Sequence, residues 1–180
     1  MKLSIIIPVY NEGDVLYELH MRIHTVMKNN VYDYEIIFID DGSNPTPPQF
    51  DKIMSKDERV SVLTFSRNFG HQAAISAGLD HATGDGVVIM DGDLQDPPEV
   101  IPMFIKKWNE GYDVVYGVRK KRKEGFFKRA AYYVFYRLMS IVSTIKLPLD
   151  SGDFALISRR VARLITSQAM PEHNRYVRGL

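Results

Sequence analysis

Short apolar runs alternate with longer segments of helical spacing over the first two thirds of the chain. The runs cover residues 3–9, 34–39, 60–65, 86–90 and 113–116, and most are rich in valine and isoleucine. Each run is too short for a helix, so we interpret each as a buried strand. Between them, apolar residues recur at helical spacing over 15–26, 73–82 and 100–108. This alternation predicts an α/β fold: a Rossmann-like, mostly parallel sheet with helices on both faces.

The pattern changes after Gly117. Residues 119–137 contain eight basic residues and one acid, Glu124, with aromatic residues interleaved. We predict a basic loop leading into an amphipathic helix that ends near residue 145, then a strand over 154–158 and a helix from 159 to about 168. A segment like 119–145 is typical of a solvated charged face, of a helix on an anionic membrane surface, or of a nucleic-acid contact. Because the cations cluster in a chain of net charge +1, we favour the membrane surface and expect no nucleic acid.

The composition excludes several kinds of site. The chain has 180 residues, 45% of them hydrophobic and 25% charged, which suits one domain with a core. There is no cysteine, so disulfides, thiolate metal sites and a cysteine nucleophile are excluded. The apolar run 3–9 is too short for a secretory signal, and no stretch of about 18 apolar residues is present to span a bilayer.

Polar side chains follow four of the predicted strands. Ligands bind at the carboxyl ends of the strands in such sheets, so we expect these side chains to line one rim. The four polar segments are Tyr10-Asn11-Glu12, Asp40-Asp41-Gly42-Ser43, Ser66-Arg67-Asn68 and Asp91-Gly92-Asp93.

The segment Asp91-Gly92-Asp93 is the candidate metal site. Two carboxylates one residue apart can share a Mg²⁺ or Mn²⁺ ion, which leaves coordination positions for phosphate. Gly92 would let a diphosphate approach the backbone, and Gln95 can add a neutral oxygen ligand. Taken alone, the tripeptide is more often a polar turn at a strand end; its place after the fourth strand, with Gln95 behind it and three other polar strand ends beside it, favours the metal site.

The other strand ends each allow two interpretations. Tyr10 could stack on a base or pack on the surface, and a carboxylate of Asp40-Asp41 could bind a base or ribose or form a turn and helix cap. Arg67 could pair with phosphate oxygens or be a solvated charge.

Three more side chains could belong to the functional site or could have only a structural role. Asp153, just before the predicted strand 154–158, could be a general base or a turn carboxylate. His71 and His81 lie on a helical segment and are interpreted as structural. His71 follows the Asn68-Phe69 loop closely enough to approach the rim.

In order along the chain, four motifs resemble the family 2 inverting glycosyltransferases. They are Ser4-Ile-Ile-Ile-Pro-Val-Tyr-Asn-Glu12, Asp40-Asp-Gly-Ser43, Ser66-Arg-Asn-Phe-Gly-His-Gln72 and Met90-Asp-Gly-Asp-Leu-Gln-Asp-Pro-Pro-Glu99. The similarity covers nearly the whole chain and is greatest to the polyprenyl-phosphate group, which includes the bactoprenol glucosyltransferases and dolichyl-phosphate mannose synthases. Ser151-Gly-Asp-Phe154 resembles the bactoprenol subgroup.

The resemblance implies a GT-A fold and a nucleotide-diphosphate sugar donor. The implied donor-binding residues are Pro8, Tyr10, Asn11, Glu12, Asp41, Arg67, Asp91 and Gly92. The implied ligands of Mg²⁺ or Mn²⁺ are Asp91, Asp93 and Gln95, and the implied catalytic residues are Asp153 and Asp93. The residues implied near the acceptor phosphate are Arg119, Arg175 and Arg178. Residues 1–118 would form the nucleotide-sugar-binding core, and 119–180 the acceptor- and membrane-proximal part of the same domain.

Together with the basic segment, the resemblance implies inverting transfer of a hexose, with UDP-glucose as the first donor considered, to undecaprenyl phosphate at the cytoplasmic face of the cell membrane. Membrane helices follow such a domain in the subgroup and are absent from this sequence, so we expect a soluble or peripheral piece; homo-oligomerisation is left open. One alternative is transfer to a polysaccharide or another sugar acceptor. Another is a nucleotide-binding, membrane-docking module without catalysis. A sugar-phosphate nucleotidyltransferase would need a glycine-rich basic loop after the first strand, where this chain has Pro8 to Glu12.

Overall fold

The computed structural model describes residues 1–118 and 151–166. The strands are β1 Lys2–Val9, β2 Asp33–Asp40, β3 Val60–Thr64, β4 Gly86–Ile89, β5 Val114–Val118 and β6 Ser151–Ser158. The helices are α1 Leu16–Asn29, α2 Gln49–Met54, α3 His71–His81, α4 Ile101–Asn109 and α5 Arg159–Thr166. Short 3₁₀ turns, Gly13–Val15 and Pro98–Val100, lead into α1 and α4.

These six strands form one sheet in the order β3-β2-β1-β4-β6-β5. The first four are mutually parallel, whereas β6 runs antiparallel to both of its neighbours. The prediction of a mostly parallel α/β sheet is confirmed. The parallel strands β1, β2 and β4 end side by side, which places the segments that follow them on one rim.

Two apolar clusters cover the two faces of the sheet. Alternation along β1 sends Ile5 and Ile7 to one cluster and Ile6 to the other. Helices α1, α2 and α4 supply the apolar side chains that pack on the first face, and α3 and α5 pack on the second. Helices therefore cover both faces, as the sequence predicted, and the central strands are buried on both sides.

Several local predictions need correction. The runs 60–65 and 113–116 were predicted as buried strands, but β3 and β5 lie at the two edges of the sheet and are only partly buried. Strand β6 begins at Ser151, so Asp153 lies within the strand and not before it. The sequence also did not predict α2, which follows a proline-rich segment.

Several predicted features lie outside the described residues. They are the basic and aromatic segment 119–145 and the residues Arg119, Arg175 and Arg178. Within residues 1–118 and 151–166, none of the helices combines the length and the apolar character needed to cross a membrane.

Candidate functional site

A cavity of about 490 Å³ opens at the carboxyl ends of β1, β2 and β4. It collects seven of the sequence-predicted site residues: Pro8, Tyr10, Glu12, Asp41, Asp91, Gly92 and Asp93. Val9, Asn68, Gly70 and His71 complete its lining. All four polar segments therefore contribute to this cavity, with Asn68 representing Ser66-Arg67-Asn68, as expected for parallel strands that end at one edge.

The loop after β4 is held by local hydrogen bonds. The Gln95 amide donates to Asp93 Oδ1 at 2.9 Å, and the Asp91 amide donates to Asp96 Oδ2 at 3.2 Å. Leu94 has a φ of 64°, a left-handed conformation that few residues other than glycine adopt. These constraints hold Asp91 and Asp93 together on the cavity wall, while the Gln95 side chain is exposed and does not line the cavity.

Gly92 is buried between the loop and the end of β1. A Cβ at this position would lie 3.2 Å from Glu12 Oε2 and 3.3 Å from the Pro8 carbonyl oxygen. A side chain at this position would therefore need the Glu12 carboxylate and the end of β1 to shift by a few tenths of an ångström. The contact also places the Glu12 carboxylate against the loop that carries Asp91 and Asp93.

Burial and the charged side chains of this loop both shift the pKa of Glu12. Burial raises the pKa of the Glu12 carboxyl above its ordinary value, the carboxylates of Asp93 and Asp91 raise it further, and His71 opposes the shift. Like charges face one another at this end of the cavity, an arrangement that a cation would relieve.

The carboxylates suit a cation that also binds phosphate. Among the residues that the structure describes, no three Asp, Glu or His side chains are arranged to hold a metal ion by themselves. Mg²⁺ is commonly held by one or two carboxylates together with substrate phosphates and water. The pair Asp91 and Asp93 on an open cavity fits that kind of site and not a closed protein cage.

Asp41 connects the end of β2 to the turn before α3. Its carboxylate, almost fully buried, accepts hydrogen bonds from the amides of Phe69 at 2.7 Å and Gly70 at 2.9 Å. Gly42, with a φ of 73°, packs so closely that a Cβ there would lie 2.3 Å from the Arg67 carbonyl carbon. The two segments therefore interlock through a hydrogen-bonded side chain and a backbone contact. Asp40, in turn, accepts from the Ser43 amide, which is the turn geometry considered from the sequence.

The remaining predicted site residues differ in their surroundings, and of these Tyr10 also lines the cavity. Asn11 has a φ of 57° and joins the 43–44 loop, since its amide donates to Ser43 Oγ and its Oδ1 accepts from the Asn44 amide. The exposed Arg67 guanidinium lies over the Phe69 ring, 4.7 Å from its centroid. Tyr10 lines the cavity with 48% of its surface exposed, which leaves its ring accessible. Asp153 lies in β6, two residues before the part of that strand that pairs with β4.

His71 was interpreted as structural from the sequence, but it lines the cavity. Its Nε2 lies 3.7 Å from Asp91 Oδ1. His81, at the other end of α3, is exposed and pairs with the Ala77 carbonyl oxygen, as a structural residue would. The sequence feature that points to a site role for His71 is its position two residues after the Asn68-Phe69 loop. Because α3 begins at His71, this residue stands at the end of the helix that faces the cavity.

Comparison with known proteins agrees with the fold and the motifs. The family model for glycosyl transferase family 2 matches residues 4–165. An uncharacterized glycosyltransferase of Bacillus subtilis, YkcC, is 48% identical over 98% of this chain and 55% of its own length. The bactoprenol glucosyl transferase of Shigella phage SfV is 40% identical over 100% of this chain and 59% of its own length. The chain thus spans somewhat more than half the length of these relatives.

Solved structures with the same fold include two enzymes that transfer sugars. The mannosyltransferase PcManGT from Pyrobaculum calidifontis, in complex with GDP-Man and Mn²⁺, has a TM-score of 0.61 and 21% identity over 88% of this chain and 45% of its own. Glucosyl-3-phosphoglycerate synthase of Mycobacterium tuberculosis, with Mn²⁺, UDP and phosphoglyceric acid, has a TM-score of 0.61 and 20% identity over 89% of this chain and 56% of its own. The predicted GT-A fold is confirmed, and so is the resemblance drawn from the motifs. The chain belongs to glycosyltransferase family 2.

Proposed function

We propose that the protein transfers a hexose from a nucleotide-diphosphate sugar to a polyprenyl phosphate, with UDP-glucose as the first donor to test. The observation that carries the proposal is the cavity where Asp91 and Asp93 meet Tyr10 and Asp41 at the carboxyl rim of the sheet. Related proteins at 40% identity are named bactoprenol glucosyl transferase, which supports glucose as the sugar and a polyprenyl acceptor. Neighbours of the same fold were solved with UDP, UDP-glucose or GDP-mannose, which supports the donor class.

In this proposal the two ends of the cavity bind the two ends of the nucleotide. The accessible ring of Tyr10 can stack on the base, and Asp41 stabilises the turn before α3, which also contributes to the lining. Asp91 and Asp93 would hold Mg²⁺ or Mn²⁺ at the diphosphate. When bound, the cation would offset the negative charge that develops on the departing nucleoside diphosphate.

The transfer would be a single displacement. An oxygen of the acceptor phosphate forms the new bond to the anomeric carbon from the face opposite the leaving group. The bond from that carbon to the diphosphate oxygen breaks, and its electron pair leaves with the nucleoside diphosphate. A phosphate oxygen is already anionic near neutral pH, so Asp153 has little proton to remove and would position the acceptor or a basic partner. We expect Asp153→Asn to retain donor affinity and to lose most of its turnover.

The experiment measures transfer of labelled glucose from UDP-glucose to undecaprenyl phosphate in Mn²⁺, after a thermal-shift screen of nucleotide sugars. A sugar that binds only the folded protein raises its melting temperature. Asp93→Ala should abolish transfer and reduce bound Mn²⁺. Asp33→Ala, which removes an exposed carboxylate at the opposite end of β2, should leave both unchanged.

Each rival function has its own outcome. Binding of a nucleotide sugar without turnover on any acceptor would indicate a docking module. Transfer to a polysaccharide but not to the lipid phosphate would show that the proposed acceptor is wrong and that the protein glycosylates a polysaccharide. Near wild-type transfer and Mn²⁺ binding in Asp93→Ala would refute the assigned metal site. No response to any nucleotide sugar would refute the donor class.

A further inference from the structure

We propose that His71 binds the diphosphate of the nucleotide donor through an N–H of its imidazole. The inference rests on the proposed function, because it assigns a residue to the phosphate end of that donor. His71 has no role in the functional assignments made above.

The charge of the cavity is the first argument. The described lining contains four carboxylates, on Glu12, Asp41, Asp91 and Asp93, but neither lysine nor arginine. A diphosphate is an anion and needs hydrogen-bond donors or positive charge around it. Of the described side chains that line the cavity, His71 is the one that can donate a hydrogen bond in either ionisation state and can also carry positive charge.

The position of the imidazole is the second argument. His71 Nε2 lies 3.7 Å from Asp91 Oδ1, so the ring is next to the motif where the diphosphate is expected. His71 is the first residue of α3, an 11-residue helix whose positive end favours an anion nearby. The phosphate end of the donor would therefore meet the imidazole and the Asp91 loop together.

Two backbone amides of the preceding turn are already used within the protein. The amides of Phe69 and Gly70 donate to Asp41, so neither of them is free to bind a phosphate. A Cβ at Gly70 would meet no atom within 4 Å, so this part of the cavity lining is open.

A rival interpretation is that His71 only orients the Asp91 carboxylate. The two roles predict different losses on substitution. If His71 orients Asp91, its removal lowers Mn²⁺ affinity even without nucleotide. If His71 binds the diphosphate, its removal lowers the affinity for UDP while the affinity for uridine, which has no phosphate, stays constant.

The test compares binding of UDP, uridine and Mn²⁺ to the wild-type protein and to His71→Ala by titration calorimetry, with UDP measured both in EDTA and in Mn²⁺. His81→Ala is the matched control, since it removes an exposed imidazole from the last turn of the same helix. We expect His71→Ala to lower the affinity for UDP about tenfold or more in both conditions, because a hydrogen bond to a charged group is worth at least that factor. Uridine and Mn²⁺ binding should change by less than about twofold, and His81→Ala should match the wild type.

Several results would overturn the inference. If UDP binds His71→Ala as tightly as the wild type, His71 does not contact the phosphate. An equal loss for uridine and UDP indicates a structural role. A loss of Mn²⁺ affinity alone indicates that His71 orients Asp91. A wild-type protein that binds uridine and UDP equally well refutes the phosphate contact, while one that binds neither refutes the proposed donor as well.

Discussion

Replacing Asp41 by asparagine should destabilise the protein through the turn before α3. The Asp41 carboxylate is 3% exposed and accepts amide hydrogen bonds from Phe69 and Gly70, each at one oxygen. An asparagine side chain of the same shape has one oxygen and one NH₂ group. One of the two backbone amides would therefore face a donor in place of an acceptor.

The expected loss follows from these two bonds. One hydrogen bond to a charged group becomes a bond to a neutral amide, which costs about 1 kcal/mol. The other bond is lost, and a buried amide without an acceptor costs about 2 kcal/mol more. The free energy of unfolding should fall by about 3 kcal/mol, which lowers the melting temperature by roughly 6–12 °C for a protein of this size.

The assay is urea and thermal unfolding of the wild-type protein and Asp41→Asn, monitored by circular dichroism in EDTA so that cation binding does not contribute. Asp33→Asn is the control, because Asp33 is exposed at the other end of β2 and loses the same charge. We expect the control to stay within about 0.5 kcal/mol of the wild type.

One result would contradict this reasoning directly. If Asp41→Asn unfolds at the same urea concentration as Asp33→Asn, with the same dependence on urea, the two amide bonds do not stabilise the turn. The interlock between the end of β2 and the 67–70 turn would then depend on the backbone contact of Gly42 alone.

Three other substitutions test separate parts of the structure. In chemical unfolding, Gly42→Ala should lower the free energy of unfolding by at least about 2 kcal/mol more than Gly111→Ala does. Both glycines have positive φ, but only a Cβ at Gly42 would meet the Arg67 backbone. Equal losses in the two variants would show that the backbone conformation alone accounts for the effect. Glu12→Gln should raise the melting temperature of the metal-free protein at pH 7, because the raised pKa of Glu12 means that its ionised form destabilises the fold. This gain in melting temperature should vanish as the pH falls below 4.5, the ordinary pKa of a glutamate. A gain that persists at lower pH would contradict the charge argument. Burial alone would raise the pKa of Asp57, but hydrogen bonds from Arg59 and His20 lower that pKa to about 2. The ionised Asp57 therefore stabilises the fold above pH 3.8, and this contribution is lost as the pH falls toward 2. Asp57→Asn should therefore be less stable at pH 7 and lose less stability between pH 4 and 2, which a pH series of thermal unfolding would measure.

The sequence was sufficient for the central sheet. Runs of valine and isoleucine too short for helices marked β1, β2 and β4, and the helical spacing between them required parallel connections. That reasoning also placed Glu12, Asp41 and Asp91 on one rim, since parallel neighbours end at the same edge. It was weaker for β3 and β5, whose composition resembles that of buried strands although they lie at the sheet edges.

Other features depend on pairings between distant parts of the chain. Strand β6 enters between β4 and β5 and runs antiparallel to both, an arrangement that no local pattern specifies. The direction of the Asp41 carboxylate depends on amides 28 and 29 residues away. The same holds for His71, which packing of α3 against the sheet brings into the cavity.

The sequence by itself therefore determined the strands, their mostly parallel order and the rim where the chemistry lies. These follow from apolar periodicity and chain connectivity, which are local properties. The tertiary structure decided which polar side chains face the cavity and which are bound by the protein itself. That choice depends on loop conformations such as the left-handed Leu94 and Gly42, and on close contacts such as Gly92 against Glu12, which form only when distant segments pack together.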